Sequence, residues 1–307
     1  MNESRPNNEN EYNLDWFKKR AFSTLKRIDE NTWDFSDSVL LYLEQSEKEY
    51  ENIQVEGNPY NQMVTTPEEI FLKEIALNIV ERLPEIFEFI DLGPGTAGKE
   101  KYIFEAAEKL NKKVVYRPVD ISKYYLEKST KYAKEYNLKF DTLNYPFEEL
   151  PQILGESSIP RFVSLGLTYS NFEQQSILKL LKQIAGSNGF VFINSQIRDR
   201  IDMKKLIEIY SSDAKALIEN KAVLLGLDPT KDLGKMITDD GIRAWSELIN
   251  VPDELKKIGM KEGDRLLVFQ SLRPTKESLL SDLNASGIQY EIFDTGSSFI
   301  ATLLKTN

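Results

Sequence analysis

The chain has 307 residues, is 41% hydrophobic, carries a formal net charge of −10 and contains neither cysteine nor histidine. This composition supports a buried core and excludes disulfides, thiolate nucleophiles, Ser-His-Asp triads and imidazole or thiolate metal centres. The acidic balance argues against nucleic-acid and anionic-membrane partners, and without imidazole any proton transfer falls to a carboxylate, a tyrosine, a lysine or water.

Residues 1–13 are polar and rich in Asn and Glu, and read as a frayed terminus rather than a signal peptide. Residues 14–56 read as helices. Leu14, Phe17, Ala21, Leu25 and Ile28 recur at helical spacing, and Val39, Leu40, Tyr42 and Leu43 begin a second helix continued by Glu47-Lys48-Glu49. Gly57-Asn58-Pro59-Tyr60 breaks the pattern. Thr66-Pro67-Glu68-Glu69 restarts it, with Thr66 as N-cap and Ile70, Ile75, Ile79, Val80 and Leu83 as the apolar face.

Strands then alternate with helices. Strands are expected over 87–92, 113–119, 138–143, 161–167 and 189–195, with helices over 99–110, 123–136 and 173–184. Such alternation implies a parallel sheet with right-handed crossovers. Residues 200–258 return to helix and loop, followed by a strand over 264–272 and a helix over 276–285. Two strands, 289–294 and 299–305, are separated only by Thr295-Gly296-Ser297-Ser298 and read as a β-hairpin. A parallel sheet closed by a hairpin is the ending of a class I methyltransferase sheet. No stretch approaches the roughly 18 consecutive apolar residues of a membrane span, so the expected location is the cytoplasm.

The most informative segment is Phe89-Ile90-Asp91-Leu92-Gly93-Pro94-Gly95-Thr96-Ala97-Gly98-Lys99, answered by Val119-Asp120 after the second strand. Strand, glycine-rich turn, helix, strand and terminal acid make a nucleoside site: the glycines admit the ligand to the backbone, and Asp120 accepts from two ribose hydroxyls. Both dinucleotides and S-adenosylmethionine (SAM) are held in this way. Leu165-Gly166-Leu167-Thr168-Tyr169-Ser170-Asn171 carries a strand into a polar loop at the ligand edge of the sheet. There Asn171 either grips an amine or carboxylate or caps the next helix. Asn144-Tyr145 follows the third strand, where such folds pass the adenine; it is equally a turn before Pro146. Lys99 and Lys101 open a helix against its dipole, which becomes sensible if a ligand carboxylate sits there. Tyr42, Tyr60 and Tyr210 flank the sheet, and Tyr60 lies in the irregular break.

With these residues in place, the chain resembles the SAM-dependent, histidine-specific N-methyltransferases. That family includes the enzyme that trimethylates histidine in ergothioneine biosynthesis, and fungal indole-alkaloid N-methyltransferases. The likeness runs from about Tyr42 to the end, and is dense at 91–99, 118–122 and 165–172. It implies a class I Rossmann-like α/β domain binding SAM (67–200 and 274–307), capped by a mostly helical substrate domain built from 1–66 and 201–273. It further implies that Gly93, Gly95, Lys99, Asp120, Asn144, Tyr145 and Gly166 hold the cofactor, with Lys99 on the methionine carboxylate and Asp120 on the ribose. Tyr60, Asn171 and Tyr210 then hold the amino-acid substrate and carry the reaction, with Phe269 and Ser271 completing the pocket and no metal involved.

Two positions depart from the family pattern. Its adenine loop commonly reads Asp-Phe, where this chain has Asn144-Tyr145. Its imidazole-reading Glu-x-Ser aligns with Phe269-Gln270-Ser271, so the serine survives and phenylalanine replaces the glutamate. Leaving a buried ring nitrogen unpaired costs about 1–3 kcal/mol. The expected reaction is therefore N-methylation of a small amino acid or amine other than histidine, by a monomer or homodimer. Aminocarboxypropyl transfer or cyclisation of SAM uses the same loops. A nicotinamide oxidoreductase and a non-catalytic binding protein are the more distant alternatives.

Overall fold

The computed structural model of the protein describes residues 12–96, 98–239 and 241–306. Most of the terminus expected to fray, residues 1–11, lies outside these. Asn13 does not belong to it: its side chain accepts from Trp16 N at 3.1 Å and caps the first helix.

That helix, α1 (Leu14–Thr24), ends at Leu25. The chain then turns to strands β1 (Lys26–Asp29) and β2 (Thr32–Asp34), where helix was expected throughout 14–56. Ile28, counted in the helical stripe, is an exposed strand residue. A short 3-10 turn over Ser38–Leu41 precedes α2 (Glu44–Gln54). Helix resumes earlier than expected. The side chain of Asn58 accepts from Tyr60 N at 2.9 Å, Pro59 occupies the first turn, and a π-turn over Asn61–Thr65 runs straight into α3 (Thr66–Arg82). Tyr60 is thus helical rather than in a loop, and Thr66 is already inside the helix and caps nothing. Ile70 is 64% exposed, because the inward stripe of α3 is Glu68, Phe71, Ile75 and Ile79 at i, i+3, i+7 and i+11.

The alternating region follows expectation closely: β3 (Ile86–Leu92), α4 (Lys101–Lys109), β4 (Lys113–Val119), α5 (Lys123–Glu135) and β5 (Lys139–Phe140). A helix not foreseen, α6 (Leu150–Leu154), precedes β6 (Arg161–Leu165), α7 (Gln174–Ala185) and β7 (Phe190–Gln196). The region expected to be helix and loop contains α8 (Met203–Ser212), α9 (Lys215–Glu219), β8 (Ile237–Thr238), β9 (Arg243–Glu247) and α10 (Asp253–Lys257). Last come β10 (Arg265–Gln270), α11 (Lys276–Ala285), β11 (Gln289–Phe293) and β12 (Phe299–Lys305).

Seven strands form one sheet in the order β11-β12-β7-β6-β3-β4-β5. β12 runs antiparallel to both neighbours, with Gln289 opposite Lys305 and Ala301 opposite Asn194, so the hairpin closes a sheet that is otherwise parallel. Alternate side chains serve two cores. Phe87, Phe89, Tyr116, Phe162 and Phe192 face α3 and α4 in an aromatic layer, with Phe89–Phe162 centroids 5.2 Å apart and Phe104–Tyr116 5.0 Å. Ile90, Leu92, Val163, Leu165 and Ile193 pack the opposite face against α7 and α11.

A second sheet, β1-β2-β10-β9-β8, stands apart from the first. It joins the amino-terminal segment to the 237–270 segment, with β2 parallel to β10 and Leu266 opposite Trp33. Trp33 Nε1 donates to the buried Asp264 at 3.0 Å. This sheet and the helices around it share one core, which includes Phe17, Trp33, Tyr60, Tyr210 and Phe269. No helix among the described residues is long and apolar enough to cross a membrane.

Candidate active site

One cavity opens at the carboxyl edge of the large sheet, beneath the small one. It brings together Tyr42, Tyr60, Gly93, Gly95, Lys99, Gly166, Asn171, Tyr210, Phe269 and Ser271, all singled out from sequence. Asp120, Asn144 and Tyr145 do not line it.

The floor is the turn after β3. Gly93 and Gly95 have φ of +69° and +61°, a region that side chains with a Cβ rarely adopt. A Cβ on Gly95 would meet the Tyr50 ring at 3.6 Å, so Tyr50, brought in by α2, roofs the glycine turn. Beside it, Asp120 directly follows β4. Its Oδ1 accepts from Ser122 N at 2.9 Å, whereas its Oδ2 is buried without a partner. Burial, reinforced by the nearby Glu47, pushes this carboxyl up to about 7. Asn144 lies alongside and spends its amide on the main-chain oxygens of Asp120 and Ile121, both at 2.8 Å.

Lys99 precedes α4 and enters the cavity from the glycine turn. Its Nζ lies 2.7 Å from Oε2 of Glu68, a carboxylate buried on α3. Burial opposes the lysine's charge, but Glu68, Tyr50 and Glu100 together outweigh it and hold the ammonium above the ordinary lysine range. The other oxygen of Glu68 accepts from Asn194 Nδ2 at 2.8 Å. Asp91 receives the Tyr116 hydroxyl at 3.0 Å and is pushed well above the usual carboxylate range by burial and by neighbouring Glu100. Among the described lining residues Lys99 is the single cation, facing Glu68, Glu69, Asp91 and Glu100.

The far wall comes from the small sheet and the helices that share its core. Tyr60 meets Tyr210 edge-on, centroids 6.0 Å apart, and the Phe269 ring tilts 32° against Tyr210 at 5.4 Å. Burial drives the Tyr60 phenol well above its normal range, so it stays a neutral hydroxyl. Behind them Arg273, buried, donates to Tyr210 Oη at 3.1 Å, to Ser271 Oγ at 2.7 Å and to Gln196 at 3.0 Å. Asn171 ends a 3-10 turn over Leu167–Asn171; its carbonyl accepts from Gln270 Nε2 at 3.3 Å. It does not cap the next helix, because Glu173 does so through Gln175 N and Ser176 N.

Sequence reasoning missed Glu68, Tyr50, Asn194 and Arg273. Glu68 had a signal: its place on the Phe71-Ile75-Ile79 stripe marks it as inward-facing. Tyr50 sits inside the charged run Glu47–Glu51, and nothing local marks its ring as packing over Gly95.

A buried glycine turn, an orphaned acid after the second strand and a seven-stranded sheet closed by an antiparallel hairpin define a class: the SAM-dependent methyltransferases of the class I fold. The sequence pattern of the histidine-specific, SAM-dependent methyltransferases matches residues 37–216, more than half of the chain, and the protein belongs to that family. No match is found among the curated proteins. Among solved structures, the chain is similar to a SAM-dependent methyltransferase from Aquifex aeolicus, with 11% identity over 85% of this chain and 98% of that one and a TM-score of 0.47. It is also similar to an O-methyltransferase family protein from Burkholderia thailandensis, with 9% identity, 88% and 62% coverage and a TM-score of 0.46. A third is PKMT2 from Rickettsia typhi in complex with AdoHcy, with 14% identity, 77% and 52% coverage and a TM-score of 0.41. The chain thus spans 62% of the length of the Burkholderia protein.

The residues present fit the cofactor of this family. The orphaned Asp120 Oδ2 suits a ribose hydroxyl, the Gly93–Gly95 turn leaves room against the backbone, and the acidic cavity suits a sulfonium.

Proposed function

We propose that the protein N-methylates a small amino acid or amine other than histidine, with SAM as the methyl donor. The observation that carries this reading is Phe269. It lines the cavity against Tyr210 where the family resemblance expects an imidazole-reading glutamate, so that position offers an aromatic face in place of a carboxylate acceptor for a ring N–H. SAM supplies an electrophilic methyl on a positively charged sulfur. Asp120, Gly93 and Gly95 hold its nucleoside, with Asn144 and Tyr145 by the adenine, and Lys99 and Gly166 meet its amino-acid end. Asn171 grips the head group of the acceptor. Tyr60 and Tyr210 orient it, with Arg273 fixing the Tyr210 hydroxyl. Tyr60, Tyr210 and Phe269 keep water from the reacting nitrogen. In this reading 67–200 and 274–307 form the cofactor domain, 1–66 and 201–273 form the cap, and the acceptor is a small molecule met in the cytoplasm by a monomer or homodimer.

The test is incubation of the protein with SAM and a pool of amino acids and biogenic amines, read by mass spectrometry. S-adenosylhomocysteine together with a singly methylated amine supports the proposal. Methylthioadenosine instead assigns aminocarboxypropyl transfer or cyclisation, and methylated histidine as the sole product overturns the reading of Phe269.

A further inference from the structure

Two buried acceptor oxygens converge beside Gly166. The ideal Cβ position of Gly166 lies 3.4 Å from Oδ1 of Asn194 and 3.5 Å from Oε1 of Glu68. Asn194 is fully buried, and its Oδ1 has no hydrogen-bond partner. Its orientation is dictated by Glu68: the carboxylate only accepts, so the amide must turn Nδ2 toward it, which leaves Oδ1 unpartnered. Both residues line the cavity. An unsatisfied buried acceptor is costly, and a carboxylate beside it selects a donor that is also positively charged.

We propose that Glu68 and Asn194 form an ammonium-binding subsite beside Gly166. It takes a primary ammonium, whose three N–H groups match acceptors on separate walls. The ammonium has two chemical sources, the amino-acid end of the cofactor and the amine of the acceptor. The inference rests on the SAM-dependent N-methylation proposed above. Lys99 connects the two halves of such a zwitterion. Its Nζ now neutralises Glu68 at 2.7 Å. When a ligand carboxylate draws Lys99 away, Glu68 loses its counter-ion and the ligand's ammonium replaces it. One internal ion pair is exchanged for two, each made with the ligand, and the charge of the cavity is conserved. A ligand with a carboxylate but no ammonium leaves Glu68 buried and uncompensated.

The experiment is calorimetric titration of wild type and Glu68→Gln with S-adenosylhomocysteine and its desamino analogue, which keeps the carboxylate and lacks the ammonium. Comparing the two ligands on each protein cancels the effect of the substitution on Lys99. The KM of the acceptor identified by the mass-spectrometric screen is measured on both proteins. If the cofactor supplies the ammonium, wild type prefers S-adenosylhomocysteine by about tenfold or more and Glu68→Gln abolishes that preference. If the acceptor supplies it, the preference is the same in both proteins and the acceptor KM rises by about tenfold or more in Glu68→Gln. A preference and a KM that both stay within about twofold of wild type overturn the subsite. Should Glu68→Gln fail to fold, Asn194→Val removes the orphaned acceptor from the other wall and is read by the same two quantities. Failure of wild type to bind S-adenosylhomocysteine at all overturns the cofactor assignment, a result separate from the others.

Discussion

Cofactor affinity is expected to weaken on mild acidification through Asp120. The carboxyl is pushed up to about 7 by burial and Glu47. In the proposed function two ribose hydroxyls donate to the ionised form, so a proton on Asp120 would compete with the nucleoside. The sign follows: ligand binding expels the proton and strengthens as pH rises through 7. With a midpoint near 7, roughly one molecule in ten carries the carboxylate at about pH 6 and nearly all do at about pH 8, so the dissociation constant of S-adenosylhomocysteine rises about tenfold between them. The free protein shows the converse. Its folded form keeps a proton that an ordinary carboxyl loses near pH 4, so this group lowers stability as pH rises from about 4 to 7. Titration calorimetry across this range measures the effect, with Asp120→Asn as the control: it binds weakly throughout and has no such pH dependence. A flat wild-type profile, or Asp120→Asn binding as tightly as wild type, refutes the ribose assignment.

Three further outcomes are expected. Asn171→Ala raises the acceptor KM by about tenfold while S-adenosylhomocysteine binding measured by calorimetry stays unchanged, as the proposed function requires of a residue that grips the acceptor. Phe269→Glu places a carboxylate against Tyr210 and makes histidine a better acceptor, visible as methylated histidine by mass spectrometry; unchanged selectivity removes Phe269 as the specificity determinant. Lys221, buried over the Phe35 ring and pushed down to about 7 by burial, penalises folding at neutral pH because the unfolded lysine keeps its proton to about pH 10. Lys221→Met raises the urea midpoint at pH 7 and flattens the rise in stability otherwise seen between about pH 7 and 10.

The large sheet was legible because its strands are short apolar runs bounded by turn residues, and each is specified by its own composition. Ile86–Leu92 and Lys113–Val119 differ from expectation by one residue at most. The small sheet was not. Thr32-Trp33-Asp34 is too short to show a period, and its parallel partner Arg265–Leu267 lies at the other end of the chain. The same division holds at the site. Gly93 and Gly95 are readable because the positive φ of that turn demands glycine, and Asp120 because it is an acid placed directly after the second strand. Glu68 reads as one more acid favouring a helix start, and only the Phe71-Ile75-Ile79 stripe, not the one through Ile70, turns it inward. Arg273 gives no local sign of burial, because Gln196 and Tyr210, two of its partners, come from elements more than 60 residues away.

The cap sheet has a consequence for how the chain acquires its shape during synthesis. Trp33 waits for Asp264, 231 residues later, before its indole N–H is satisfied and its strand has a parallel neighbour. At about 5–20 residues per second the ribosome takes roughly 12–46 s to supply that partner. In that interval the seven-stranded sheet is translated almost to its final hairpin, while the amino-terminal strands stand exposed without their parallel neighbour. Their brevity, and the charged face of Lys26-Arg27-Ile28-Asp29, are what a nascent chain needs to keep such an edge from pairing with another copy.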